Sequence, residues 1–317
     1  MLDLPRLGMG TAAIGNLYRA LTDAEADATI DAALGAGIRY FDTAPHYGFG
    51  LAEDRLGRGL RGRSDVLVST KVGRLLLPTD DGRRERHGFV DARPYEPHFD
   101  YSRDGVLRSL DASLARLGRD HVDLLLAHDI GHATHGAEHD AMCRTFLEEG
   151  YPAMRRLRDE GAVGAIGIGV NEVAVCLDLL ARVDLDVVLL AGRYTLLDRS
   201  AAEALLPVCE AKGVRLVIGG PYNSGILAQP LARGGDRHFD YAPAAAAMLS
   251  RARDIEADCV RHGVALPVAA LQFPLRHPAV ACVIPGMASP AEVIENVARM
   301  AVPVPGDVWA ALEGLPA

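Results

Sequence analysis

Lysine is nearly absent from this chain: of 33 basic residues only Lys71 and Lys212 are lysines, the rest being arginines. Sites that need only positive charge are thus filled by guanidinium, and a surviving ammonium marks a place suited to a compact cation with an adjustable pKa. No Lys/Arg run interleaved with aromatics occurs, and 42 acidic residues leave a net charge of −9, which repels a phosphate backbone and excludes nucleic acid as the main partner. No window approaches about 18 consecutive apolar residues. The segment from Met1 to Gly10 lacks the basic-then-apolar order of a secretion signal, so the expectation is a cytoplasmic protein without a membrane partner. The five cysteines, Cys143, Cys176, Cys209, Cys259 and Cys282, are odd in number and include no C-x-x-C. That argues against a disulfide framework or a zinc knuckle and for buried thiols in a reducing compartment. The expected metal content is none, and nothing in the pattern specifies an oligomeric state.

What is present is a regular alternation. Short β-branched or aliphatic runs alternate with segments of helical period, with Gly or Pro at the joins. Eight runs read as strands: Leu7 to Met9, Ile38 to Asp42, Val66 to Lys71, Val122 to His128, Ala165 to Val170, Val187 to Ala191, Arg215 to Gly219 and Val280 to Ile284. Between them, Ile30, Ala33 and Leu34, or Val106, Leu110, Leu114 and Leu117, form single apolar helix faces. Thr22 and Asp23 read as a helix start and Gly37 as its stop. Eight βα units without a Pro/Gly/Ser-rich linker over 317 residues imply one α/β domain, 1–317, folded as a (β/α)8 TIM barrel. The competing doubly wound fold would carry G-x-G-x-x-G after its first strand, and Gly8-Met9-Gly10 does not complete it. Two stretches exceed what a barrel needs, Val72 to Tyr101 and Asp129 to about Gly150. Both follow strand C-termini, where barrels place pocket walls, although the charged part from Thr79 to His87 reads as a solvated surface excursion.

Four polar residues fall at or just beyond the ends of adjacent strands: Asp42, Tyr47, Lys71 and His128. A phenol exchanges protons near neutrality only when a cation stabilises its phenolate. Lys71 supplies that cation, Asp42 holds the ammonium, and a neutral His128 orients a substrate oxygen. Such a set suits proton transfer at a carbonyl or alcohol oxygen coupled to hydride transfer at the neighbouring carbon.

In the contexts FDTAPHYG, STK and AHD, these four residues resemble the catalytic tetrad of the aldo-keto reductase family. GGPYNSGIL (219–227) resembles that family's pyrophosphate loop and IPGMASPAEVIEN (284–296) its adenosine-binding segment. The resemblance spans nearly the whole chain and implies an aldo-keto reductase barrel and a nicotinamide cofactor. It implies cofactor binding by Gly220, Pro221, Tyr222, Gly225, Gly286, Glu292, Glu295 and Asn296, with Asn171 on the carboxamide and Tyr194 stacked on the ring. Two departures stand out: Val170 replaces the usual Ser before Asn171, and Ala191 replaces a common Gln three residues before Tyr194. Where NADP-dependent members carry Lys, Ser and Arg, this chain has Gly286, Met287 and Glu292. Two cations are lost and an anion is gained, which favours NAD over NADP.

The stretches GNLYR, YGFG, HDIG and LLAGRYTLLD resemble the family's aldose 1-dehydrogenase branch. The expected reaction is oxidation of a cyclic hemiacetal to a lactone, with an aldose of the L-fucose, D-arabinose or L-galactose type as substrate. The alternatives are pyridoxal and then general NADPH-dependent carbonyl reduction. With 5% aromatics, and with Arg74, Asp129, His132 and His135 on the long loops, the pocket leans toward a polyhydroxyl ligand. A metal-dependent hydrolase using His128, His132, His135 and His139 is disfavoured because Gly131 and Gly136 break the spacing. A non-catalytic barrel is the remaining alternative from a different class.

Overall fold

In a computed structural model that describes residues 3–314 apart from 236 and 241, all eight expected strands are present. They are β1 (Met9–Gly10), β2 (Tyr40–Asp42), β3 (Leu67–Val72), β4 (Val122–His128), β5 (Val163–Val170), β6 (Val187–Ala191), β7 (Arg215–Gly219) and β8 (Val280–Ile284). They form one parallel sheet in that spatial order. Bridges Leu7↔Val283 and Gly10↔Gly286, with Gly8 N donating to Val283 O at 3.0 Å, close it into a barrel. The first strand is shorter than the sequence suggests because Leu7 makes an isolated bridge rather than a continuous ladder. Among the described residues no helix is long and apolar enough to cross a membrane, and all five cysteines are buried and free.

Strand periodicity places the chemistry. Along β4, Leu124 and Leu126 fill the barrel interior with Tyr40, Leu189, Val217 and Cys282, while Leu125 and Ala127 pack under the surrounding helices. A period of two therefore carries His128 onward from Leu126 on the inner face. The same rule takes Tyr40 to Asp42 and Ser69 to Lys71. Small residues make room: a Cβ on Gly169 would lie 3.2 Å from Lys71 Cε.

The long stretch after β3 is ordered. Arg74–Pro78 pairs antiparallel with Tyr95–Phe99, and Glu85–Arg86 with Phe89–Val90. Leu17↔Phe89 is a bridge, and Tyr18 N donates to Gly88 O at 2.9 Å. The solvated excursion expected from Thr79 to His87 is thus corrected at its far end. Arg86 is 4% exposed and donates to the Tyr95 and Arg93 carbonyls, with its guanidinium 4.5 Å from the Phe49 ring centroid. After β4, His132–His135 and His139–Thr145 are helical rather than loop, interrupted at Gly136, where φ is +52°.

The first helix (Asp23–Gly35) begins at a reciprocal cap, in which Thr22 Oγ1 accepts from Glu25 N at 3.2 Å and Thr22 N donates to Glu25 Oε2 at 2.7 Å. The loop before it, which carries Ala12, Leu17 and Tyr18 to the rim, is clamped by buried Arg55. Its guanidinium donates to Asp23, Ile14 O, Asn16 Oδ1 and Leu21 O at 2.7–2.9 Å. Replacing one partner of such a network strands the others in a dry environment. Arg55→Met is expected to lower unfolding stability by about 3 kcal/mol, measured by urea denaturation; an unchanged midpoint would show that the loop does not depend on the clamp.

Candidate active site

Asp42, Tyr47, Lys71 and His128 meet at the C-terminal end of the barrel. Lys71 Nζ donates to Asp42 Oδ2 at 2.7 Å, to Thr43 O at 2.9 Å and to Tyr47 OH at 3.0 Å. Asp42 Oδ1 accepts from Ser69 Oγ at 2.7 Å, and Ser69 Oγ lies 2.9 Å from Tyr40 OH. Lys71 and Asp42 are 1% and 2% exposed, so the pair holds its own polar shell. The His128 ring stands edge-on to Tyr47, 6.0 Å between centroids, and its Nδ1 is buried without a partner among the described residues.

Protonation follows from this packing. Burial pushes Tyr47 above the ordinary phenol value; Lys71 opposes that and Asp42 adds to it, and the net direction is upward. The expected stabilisation of a phenolate by Lys71 is therefore partial, and the resting group is the phenol. Burial alone would lower the Lys71 ammonium, but the Asp42 carboxylate and Tyr47 outweigh it and the net shift is upward. Burial, followed by the charges of Arg74, Lys71 and His46, holds His128 well below the usual imidazole value. His46 is lowered in the same way, with burial again the largest cause.

Tyr47, Lys71 and His128 line a cavity of about 410 Å³ together with Asn171, Val170, Ala191, Asp129, His46, His87, Phe89, Leu17 and Tyr18. Asp129 pairs with Arg74 at its wall. Four of these wall residues, Tyr18, His46, His87 and Phe89, carry no singular motif. His46, inside FDTAPHYG, and Tyr18, inside GNLYR, had a signal to follow, whereas His87 and Phe89 had none. Of the loop histidines, His135 instead contacts Tyr101 OH at 3.0 Å and His132 packs near His139. Among the described residues no group of three or more potential metal ligands forms.

The remaining expected residues divide into two groups. Gly220 (φ +57°), Asn223 (φ +46°), Ser224 (φ +56°) and Gly225 (φ +98°) make a left-handed loop after β7, the backbone type that turns N–H groups toward an anion. Asn223 Oδ1 is buried there without a partner among the described residues. Tyr222 OH, next to Pro221, donates to Asn296 Oδ1 at 2.6 Å, and Arg299 joins both and pairs with Glu295. A Cβ on Gly286 would meet open space, whereas Met287 is fully buried. Glu292 accepts from Ala288 N at 2.8 Å at the start of helix Pro290–Ala301, and Arg19 reaches Ala288 O at 3.3 Å.

Tyr194 is the correction. It does not line the cavity; its ring packs in the core against Phe273, 5.3 Å between centroids. The chain turns at Gly192 (φ +70°), leaving Ala191 as the cavity-lining residue of that loop, so a stacking role for Tyr194 is not supported.

A buried Lys–Asp pair aimed at a tyrosine beside a neutral histidine, at the C-terminal mouth of a parallel barrel, belongs to an oxidoreductase. The Aldo/keto reductase family pattern matches residues 6–316, and the chain belongs to that family. It is 42% identical to pyridoxal 4-dehydrogenase of Microbacterium luteolum, over 99% of this chain and 95% of that protein. It is 39% identical to D-threo-aldose 1-dehydrogenase of a Pseudomonas species, over 98% and 94%. The holo form of an aldo-keto reductase from Bacillus halodurans superposes with a TM-score of 0.75 at 26% identity, covering 97% of this chain and 91% of that one.

The direction of the His128 shift yields a check that requires no substrate. Titrated by NMR from pH 8 to pH 6, its ring resonances are expected to stay at the neutral position; a midpoint near 6.5 would contradict this charge arrangement.

Proposed function

We propose that this enzyme is an NAD-dependent dehydrogenase that oxidises the hemiacetal carbon of an aldose to a lactone. The carrying observation is the Lys71 Nζ contact to both Asp42 and Tyr47 OH, at the wall of a cavity also lined by His46, His128, Asp129 and Asn171. Bound nicotinamide supplies the hydride acceptor. Tyr47 first gives up its own proton to solvent and then takes that of the anomeric hydroxyl, Lys71 stabilises the phenolate that exists before this transfer, and Asp42 keeps the ammonium in place. Neutral His128 orients the reacting oxygen. An ammonium has three donors, and Lys71 spends one on Tyr47 OH, so the phenol's own proton points elsewhere.

The residues present fit a dinucleotide. Asn171 at the cavity wall is assigned to the carboxamide and the loop containing Gly220, Pro221, Tyr222 and Gly225 to the pyrophosphate. The segment with Gly286, Glu292, Glu295 and Asn296 takes the adenosine. The left-handed backbone at Gly220, Asn223, Ser224 and Gly225, of the type that turns N–H groups toward an anion, supports that placement. NAD is favoured because Glu292 already seats a carboxylate at the helix start, where a 2′-phosphate would meet like charge; Arg19 reaches the same turn. A cytoplasmic site of action fits the five free, buried thiols.

A second reading, oxidation of pyridoxal to its lactone, is favoured by the 42% relative and by the ring-bearing walls Tyr18, His46, His87 and Phe89. Both readings share the site chemistry. They are separated by following reduced nicotinamide with L-fucose, D-arabinose, L-galactose and pyridoxal.

Tyr47→Phe is expected to bind NAD normally and to lose about 10²–10⁴-fold in kcat; near-normal turnover removes Tyr47 from this role. Because burial raises the Tyr47 phenol, wild-type oxidation should climb with pH through the alkaline range, and a flat profile would contradict that. Glu292→Arg should shift kcat/KM toward NADP, and unchanged selectivity would refute the reading of Glu292.

A further inference from the structure

Asp129, the residue after β4, is not needed by the chemistry assigned to Tyr47, Lys71 and His128, yet it is held firmly beside them. Its φ is +48°, a region that Asp tolerates at a cost and glycine would occupy freely. Strain of this kind concentrates where a side chain is needed. The backbone is pinned by Asp129 N donating to Gly169 O at 2.9 Å. The carboxylate is gripped through Oδ2 by the Nη2 of Arg74, and Arg74 is itself fixed, 8% exposed with its guanidinium 4.8 Å from the Phe99 ring centroid.

The grip leaves part of the carboxylate available. The Asp129 side chain is 22% exposed and lines the cavity, and no described residue makes a hydrogen bond to Oδ1. Oδ2 lies 3.4 Å from His128 Nε2. A reacting oxygen held between Tyr47 OH and His128 therefore has a carboxylate about one hydrogen-bond length further along the wall. Neighbouring hydroxyls of a gauche diol are themselves about a hydrogen-bond length apart, so a hydroxyl on the adjacent carbon falls within reach of Asp129.

We propose that Asp129 is a specificity determinant that accepts a hydrogen bond from a hydroxyl on the carbon next to the reacting one, and that Arg74 is the positioning residue that aims it. The substrate class is narrowed to hemiacetals bearing an adjacent hydroxyl. This rests on the aldose reading above. If Asp129 were only a counter-ion for Arg74, its loss would lower activity on every substrate alike.

The test compares kcat/KM for the best of L-fucose, D-arabinose and L-galactose with that for its 2-deoxy analogue, using NAD. The wild type is expected to prefer the hydroxylated sugar by about 100-fold, the range for a charge-assisted hydrogen bond that one analogue cannot make. Asp129→Gly, which suits the left-handed backbone, should bring the two within about fivefold of each other, because the acceptor is gone. Asp129→Asn keeps the shape and serves if the glycine variant does not fold; its preference should fall at least about tenfold, since the charge is lost. Arg74→Met should lower the preference in the same direction. A drop smaller than these in the soluble Asp129 variants, or a wild type indifferent to the 2-hydroxyl, overturns the assignment. A wild type inactive on all three aldoses instead refutes the aldose reading, and this inference with it.

Discussion

The contact between Lys71 and Asp42 is the constraint around which the site is arranged. Taking both ions out of water costs several kcal/mol each, and the barrel tolerates it because every remaining valence is used. The three ammonium donors go to Asp42, Thr43 O and Tyr47 OH, and the second carboxylate oxygen goes to Ser69. A planar guanidinium with five donors cannot be satisfied by that shell. This gives a physical reason for lysine at this position in a chain that otherwise uses arginine, and for glycine at 169 beneath it.

Charge neutrality around this pair decides where protons reside. Two cations, Lys71 and Arg74, face two carboxylates, Asp42 and Asp129. The histidines enclosed among them, His46 and His128, are held neutral by burial and by those cations. An imidazole in that condition directs an oxygen without competing for its proton. Tyr47 lines the same cavity, and the upward shift of its phenol means that its proton is lost only against resistance. Oxidation is therefore coupled to proton removal to solvent and is favoured as pH rises, while carbonyl reduction by the same atoms is favoured as it falls.

Most of the barrel was legible in the sequence because each strand is a short, largely aliphatic run, and three of them end in a polar residue, Asp42, Lys71 and His128. Period-two alternation then fixes which of those residues face inward, so Asp42, Lys71 and His128 converge without further information. The walls were not legible for the same reason. His87 and Phe89 reach the cavity through the register of a small hairpin bridged to Leu17, and Tyr18 through a left-handed backbone (φ +65°). Neither has a sequence period. Tyr194 failed differently: its distance from a strand end is right, but a turn at Gly192 decides which side of the loop it takes. Glu292 was read as a charge alone, whereas it also caps its helix through Ala288 N.

The partition between strand ends and loops has a mechanistic consequence. Residues that move the proton sit on the sheet or within a few residues of it, where a shift of any one would disturb the ladder. The cavity walls come largely from the loops after β1 and β2 and the hairpins after β3, with Asp129 and Asn171 just past β4 and β5. Tyr18 joins these walls to the other half of the rim: its hydroxyl bonds Ser224 in the loop after β7, and its ring stacks on His238, 5.7 Å between centroids. Substrate walls and the candidate cofactor loop thus share one contact, while the Lys71–Asp42 pair lies below both. Wall residues can vary and alter which ligand is accepted without altering the arrangement of the buried pair beneath them. That arrangement is consistent with relatives of similar identity acting on a pyridine aldehyde and on an aldose.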